Sequence, residues 1–131
     1  MRIMEGGCLC GAIRYRISGT PRSSVICHCA SCRRASGAPT VAWLTVDRDR
    51  FEVLRGATRA FDSSPGVIRR FCADCGSALT YENSKSPATI DITTASLDDP
   101  GAFPPTAEVW LDHKIFWQPA RADLTQHREG S

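Results

Sequence analysis

The sequence has 131 residues, 42% of them hydrophobic, and a formal net charge of +2 from 16 basic and 14 acidic residues. That length suits one domain, 1–131, around one modest core, and the composition excludes a disordered chain. The near-neutral charge argues against nucleic acid or an anionic membrane as partner, and no apolar run approaches the roughly 18 residues of a membrane-spanning helix.

The N-terminal residues have no apolar segment of the secretory type, so a cytoplasmic, reducing location is expected. Residues 12–18 alternate strictly, which predicts a strand with Ile13, Tyr15 and Ile17 inward and Arg14 and Arg16 outward. Val25-Ile26 leads into a cysteine triplet. Residues 30–36 predict about two turns of helix stopped by Gly37, with Cys32 in the first turn. Strands are expected at 40–46, 51–54, 58–61, 67–71, 78–81 and 89–93, with turns at Arg55-Gly56 and Ser64-Pro65-Gly66. Residues 97–101 read as a turn, 109–117 as one or two more strands, and the polar tail from about 121 as frayed. The expected fold is therefore mainly β, with short antiparallel strands and one short helix.

All seven cysteines stand in short-spaced clusters. In a reducing compartment such spacing points to metal ligands rather than disulfides. Cys8-Leu-Cys10 and Cys72-Ala-Asp-Cys75 are each followed by a glycine, Gly11 and Gly76. Glycine lets the backbone fold back and aim N–H groups at the sulfurs. These two pairs predict a closed, structural zinc site joining distant parts of the chain; the plain alternative is four buried free thiols.

Cys27, Cys29 and Cys32 have the spacing of one metal site, and no fourth ligand follows nearby. Three protein ligands with one open position is the pattern of catalytic zinc. Three thiolates leave such a unit formally anionic and suit it to a soft fourth ligand, such as a substrate thiolate. Arg33 or Arg34 could steady that charge or grip a substrate carboxylate, or simply lie on a solvated helix face. His28, flanked by two ligands, is expected to face away from the metal and to act as a second donor or proton shuttle. His113 and His127 are expected at the surface, Asp74 in solvent, and Trp43, Trp110 and Trp117 in the core.

Gly7-Cys8-Leu-Cys10-Gly11, Cys27-His-Cys29-Ala-Ser-Cys32-Arg33-Arg34-Ala-Ser-Gly37-Ala-Pro39 and Phe71-Cys72-Ala-Asp-Cys75-Gly76 together resemble the glutathione-dependent formaldehyde-activating enzyme (Gfa) and centromere protein V family. The likeness runs over roughly residues 5–118. It implies a tent-like, mainly β zinc-binding fold with two zinc ions per chain. Cys8, Cys10, Cys72 and Cys75 match the structural ligands, and Cys27, Cys29 and Cys32 the catalytic ones. It also implies a carbon–sulfur lyase activity that joins a small thiol, glutathione, to an aldehyde such as formaldehyde. One departure stands near Glu108, where the family often has a histidine.

Three functions are weighed against one another. The first is this thiol–aldehyde enzyme, with Cys27, Cys29 and Cys32 holding the metal, Arg33 or Arg34 orienting a carboxylate and His28 moving a proton. The second is a binding module in which both zincs are structural. The third is a thiol redox protein that cycles Cys29 and Cys32 through a disulfide. The oligomeric state is open.

Overall fold

The structure, a computed structural model, describes residues 2–130. Its strands form two sheets. The smaller joins β1 (Ile3–Gly7), β2 (Arg14–Ser18) and β5 (Phe51–Arg55) in the order β1-β2-β5. The larger contains β3 (Ser23–Cys27), β4 (Val41–Asp47), β6 (Thr58–Ser64), β7 (Val67–Cys72), β8 (Ala78–Asn83), β9 (Thr89–Thr93), β10 (Ala107–Val109) and β11 (Thr125–Gln126). Its order is β11-β10-β3-β4-β9-β8-β7-β6. Pairing is antiparallel except around β10, which runs parallel to both β3 and β11. The helix α1 (Ala30–Ser36) follows β3 directly.

The alternation in β2 holds: Ile13, Tyr15 and Ile17 are all buried. They pack with Met4, Leu44, Val46, Leu79, Ile90, Ile92 and Leu97 in a core drawn from both sheets. The expected strands at 51–54 and 58–61 are present but do not pair with each other. β5 joins the small sheet and β6 the large one, so the Gly56 turn passes the chain between sheets.

Along β4, Leu44 and Val46 face this core, and Trp43 and Thr45 face the other way into a cavity. Along β9, Ile90 and Ile92 face the core and Asp91 the cavity. In β8 a bulge falls where Arg70 pairs with Thr80 but Phe71 pairs with Ala78. The extra residue, Leu79, lets both Leu79 and Tyr81 serve their faces: Leu79 joins the core and Tyr81 lines the cavity.

Three expectations need correction. Residues 109–117 are not a strand: β10 ends at Val109, and Trp110 adopts a left-handed conformation (φ 59°) that breaks the extended run. Leu111–His113 then form a 3₁₀ turn, Phe116 is exposed, and Trp117 is exposed where the core was expected. The tail from 121 is not frayed. β11 adds to the edge of β10, and backbone bonds from His127 to Glu108 and from Trp110 to Glu129 hold it. Main-chain pairing places it there, and main-chain pairing leaves no hydrophobic pattern to read. The N-terminal strand β1 carries two glycines and escaped the pattern for the same reason.

Ile92 is fully buried at the centre of the core. We expect Ile92→Ala to lower stability by about 2–5 kcal/mol, read from the urea midpoint of the metal-loaded protein.

Candidate metal centres and pocket

The two clusters predicted from spacing converge in space. The sulfurs of Cys8, Cys10, Cys72 and Cys75 lie within 4.8 Å of one another, and so do those of Cys27, Cys29 and Cys32. Cys8 and Cys10 sit in the β1–β2 turn, Cys72 at the end of β7 and Cys75 in the β7–β8 turn. This group therefore ties the small sheet to the large one. The Cys8–Cys10 and Cys10–Cys72 sulfur separations are 3.6 and 3.8 Å. A tetrahedral zinc with bonds of about 2.3 Å sets its sulfurs about 3.8 Å apart, so the donor set fits the ion. The Ile13 N–H donates to Cys8 Sγ at 3.3 Å. Hydrogen bonds from the Ser77 hydroxyl and backbone push the Cys75 thiol down to about 5.

The triplet is assembled differently. Cys27 closes β3, Cys29 is the N-cap of α1, and Cys32 lies in its first turn. Cys29 Sγ accepts the Cys32 N–H at 3.3 Å, and Gly37, left-handed at φ 67°, ends the helix as expected. Hydrogen bonds from Cys27 and Cys32 lower Cys29 to about 2, helped by the nearby Arg69 charge. The same bond to Cys29, with burial, pushes Cys27 far up. Left alone, the triplet accommodates one thiolate and resists a second. A cation among the sulfurs removes that conflict, so these three donors also fit zinc.

The arginine beside the triplet is neither Arg33 nor Arg34. It is Arg69 of β7, whose guanidinium nitrogens approach Cys32 Sγ at 3.8 and 3.9 Å. Its guanidinium carbon also lies 5.0 Å from the centre of the Tyr81 ring, a cation–π contact. Arg33 and Arg34 turn to a separate groove beside Ile115 and Trp117. Helical geometry explains the difference: with Cys32 turned inward, the next two residues point elsewhere. A signal for Arg69 was present, because strand alternation places it on the same face as the buried Val67.

His28 keeps away from the sulfurs and His113 stays exposed, both as expected. His28 is fully buried and stays outside the sulfur cluster; its Nε2 lies 2.5 Å from Oε1 of the equally buried Glu108. Glu108 also accepts the Arg121 N–H, so the pair fastens β3, β10 and the tail together. His28 does not line the cavity, but His113 does. Its Nδ1 accepts the Ala30 N–H at 3.4 Å, and its ring packs 5.1 Å from that of Trp110. The left-handed turn at Trp110 brings it there, and no local sequence signal announces that turn. His127 and Asp74 hold no place at either cluster.

The triplet and His113 open onto a cavity of about 450 Å³, a size typical of small-molecule sites. Its floor is the face of the large sheet that carries Val25, Trp43, Tyr81 and Asp91.

A family model described as glutathione-dependent formaldehyde-activating enzyme matches residues 3–113. The chain belongs to this family. A Halomonas elongata protein, named provisionally as a glutathione-dependent formaldehyde-activating enzyme, is 32% identical over 126 residues, which span 88% of this chain and 79% of that one. A crystal structure of a Rhodobacter sphaeroides protein superposes with a TM-score of 0.62 at 26% identity, covering 79% of this chain and all of that one. Family membership fits the two cysteine clusters. Among the described residues no helix is long and apolar enough to cross a membrane.

Metal analysis is expected to return about two zinc ions per chain, falling to about one in both Cys72→Ser and Cys29→Ser. Only Cys72→Ser should also lower the thermal midpoint steeply, because only that cluster joins the two sheets.

Proposed function

We propose that the protein is a zinc-dependent carbon–sulfur lyase-type enzyme that adds a small thiol, glutathione, to formaldehyde or another small aldehyde. The observation that carries this reading is the three-thiol cluster opening onto a small-molecule cavity with Arg69 at 3.8 Å from one sulfur. The family name supports the same substrates.

Cys27, Cys29 and Cys32 would hold the zinc, and Cys8, Cys10, Cys72 and Cys75 a structural one. Bound at the triplet, the metal supplies a Lewis-acidic position that suits a soft thiolate. Arg69 balances the negative charge of the sulfurs and favours the ionised form of a thiol brought beside them. Trp43, Val25 and Val109 give the cavity apolar walls that strengthen that charge interaction. In the addition, the thiol sulfur forms a bond to the aldehyde carbon, the carbonyl π bond breaks, and the thiol proton ends on the new hydroxyl oxygen. His113 is the group placed to carry that proton. Its Nδ1 is held by the Ala30 N–H, which leaves Nε2 without a protein partner among the described residues. His28 serves instead to position the end of β3 from which Cys27 projects.

Exchange NMR on formaldehyde and glutathione, with and without catalytic amounts of protein, tests the reading. Acceleration is expected, and Arg69→Gln should reduce it about tenfold or more, while Arg34→Ala leaves it unchanged. Rates equal to those in buffer overturn the enzymatic reading. One zinc per chain with a reversible Cys29–Cys32 disulfide favours the redox alternative.

A further inference from the structure

One charged group in the cavity has no part in the chemistry above. Asp91 lies on β9 between the core residues Ile90 and Ile92, so its side chain turns to the opposite face and lines the cavity. Its Oδ1 accepts the Thr45 hydroxyl at 2.7 Å. Among the described residues it forms no ion pair, although ten ion pairs occur elsewhere on the molecule. Burial pushes its carboxyl above the usual range, and the Thr45 bond offsets this only in part. A desolvated carboxylate without a cation is costly, and the Asp91 side chain lines both this cavity and a smaller hollow beside Tyr81 and Asn83.

The sheet register fixes where this group stands relative to the sulfurs. Arg69 pairs with Tyr81, Tyr81 with Asp91, and Asp91 with Thr45, in one row across β7, β8, β9 and β4. Arg69, at one end of the row, touches Cys32. The Asp91 backbone stands two strands further along, about 10 Å from that of Arg69. The cavity thus presents a cation beside the thiols and an anion at a distance from them.

We propose that Asp91, oriented by Thr45, receives the ammonium group of the γ-glutamyl end of a peptide thiol whose sulfur lies at the cysteine triplet. This rests on the thiol–aldehyde reading and adds the specificity-determining residue to it. The spacing selects the ligand. In free cysteine the ammonium lies within about 3–4 Å of the sulfur and cannot span the gap. In an extended γ-glutamyl-cysteinyl peptide the two groups are about 9 Å apart, a reach on the scale of two strand spacings. Asp91 is a binding residue and takes no part in bond making.

The test compares glutathione with glutaryl-cysteinyl-glycine, which lacks only the ammonium group. Both are titrated into wild type and Asp91→Asn by ligand-observed NMR and are also assayed with formaldehyde. Asparagine keeps an acceptor for Thr45, so the fold is retained, and metal content checks this. Wild type is expected to bind glutathione at least tenfold more tightly than the analogue. Asp91→Asn should lose that preference by weakening glutathione alone. Equal binding of both thiols by wild type, a preference that survives in Asp91→Asn, or binding of neither thiol overturns the proposal. Discriminating binding without accelerated addition overturns the enzymatic reading and leaves the role of Asp91 standing. Acceleration without discrimination does the reverse.

Discussion

Sulfurs held a few ångströms apart resist ionising together unless positive charge stands among them. That constraint governs both halves of this molecule. In the four-thiol group it acts as a clasp, since the chain must bring the β1–β2 turn against the β7–β8 turn before an ion can be shared. The core residues from the two sheets meet beneath that clasp. In the triplet the same repulsion acts within one short stretch of chain, where Arg69 supplies part of the compensating charge from a distant strand. The first arrangement joins elements, and the second equips a cavity.

Between the clusters, the large sheet works on both faces. Leu44, Val46, Ile90 and Ile92 turn to the core, and Trp43, Thr45 and Asp91 to the cavity. A half-buried sheet usually gives its second face to solvent. Here residues of α1, of the segment after β10 and of the β6–β7 end of the sheet line the cavity on that face. The His28–Glu108 pair helps to hold that lining, because Glu108 sits on β10 and also binds the backbone at Arg121. A buried pair outside the sulfur cluster thus sets the position of the strand from which Cys27 extends.

The sequence carried the local features well. Alternation in β2, the helix from Cys29 to Gly37 and both cysteine groupings needed only near neighbours to be read. What it concealed depends on non-local geometry. Arg69 meets Cys32 across 37 residues, and Ala30 meets His113 across 83. Arg33 was a natural choice because it follows Cys32 in the chain, yet adjacency along a helix is not adjacency in space. The tail at 125–126 holds by main-chain hydrogen bonds, which no side-chain pattern encodes, and of β1 only Met4 joins the core. Trp117 failed in the other direction: a large apolar residue was assigned to the core, but the chain leaves the sheet before reaching it.

The bulge at Leu79 bears on how this fold tolerates insertions and deletions. Losing Leu79 would restore uniform pleating in β8, leave Tyr81 opposite Arg69 and take one large apolar side chain out of the core. A length change in the exposed β6 strand leaves both faces of the sheet as they are. Related chains are therefore expected to vary in length at the β6 edge, and a chain without the extra residue in β8 is expected to fill the place of Leu79 with a larger side chain from a neighbouring strand.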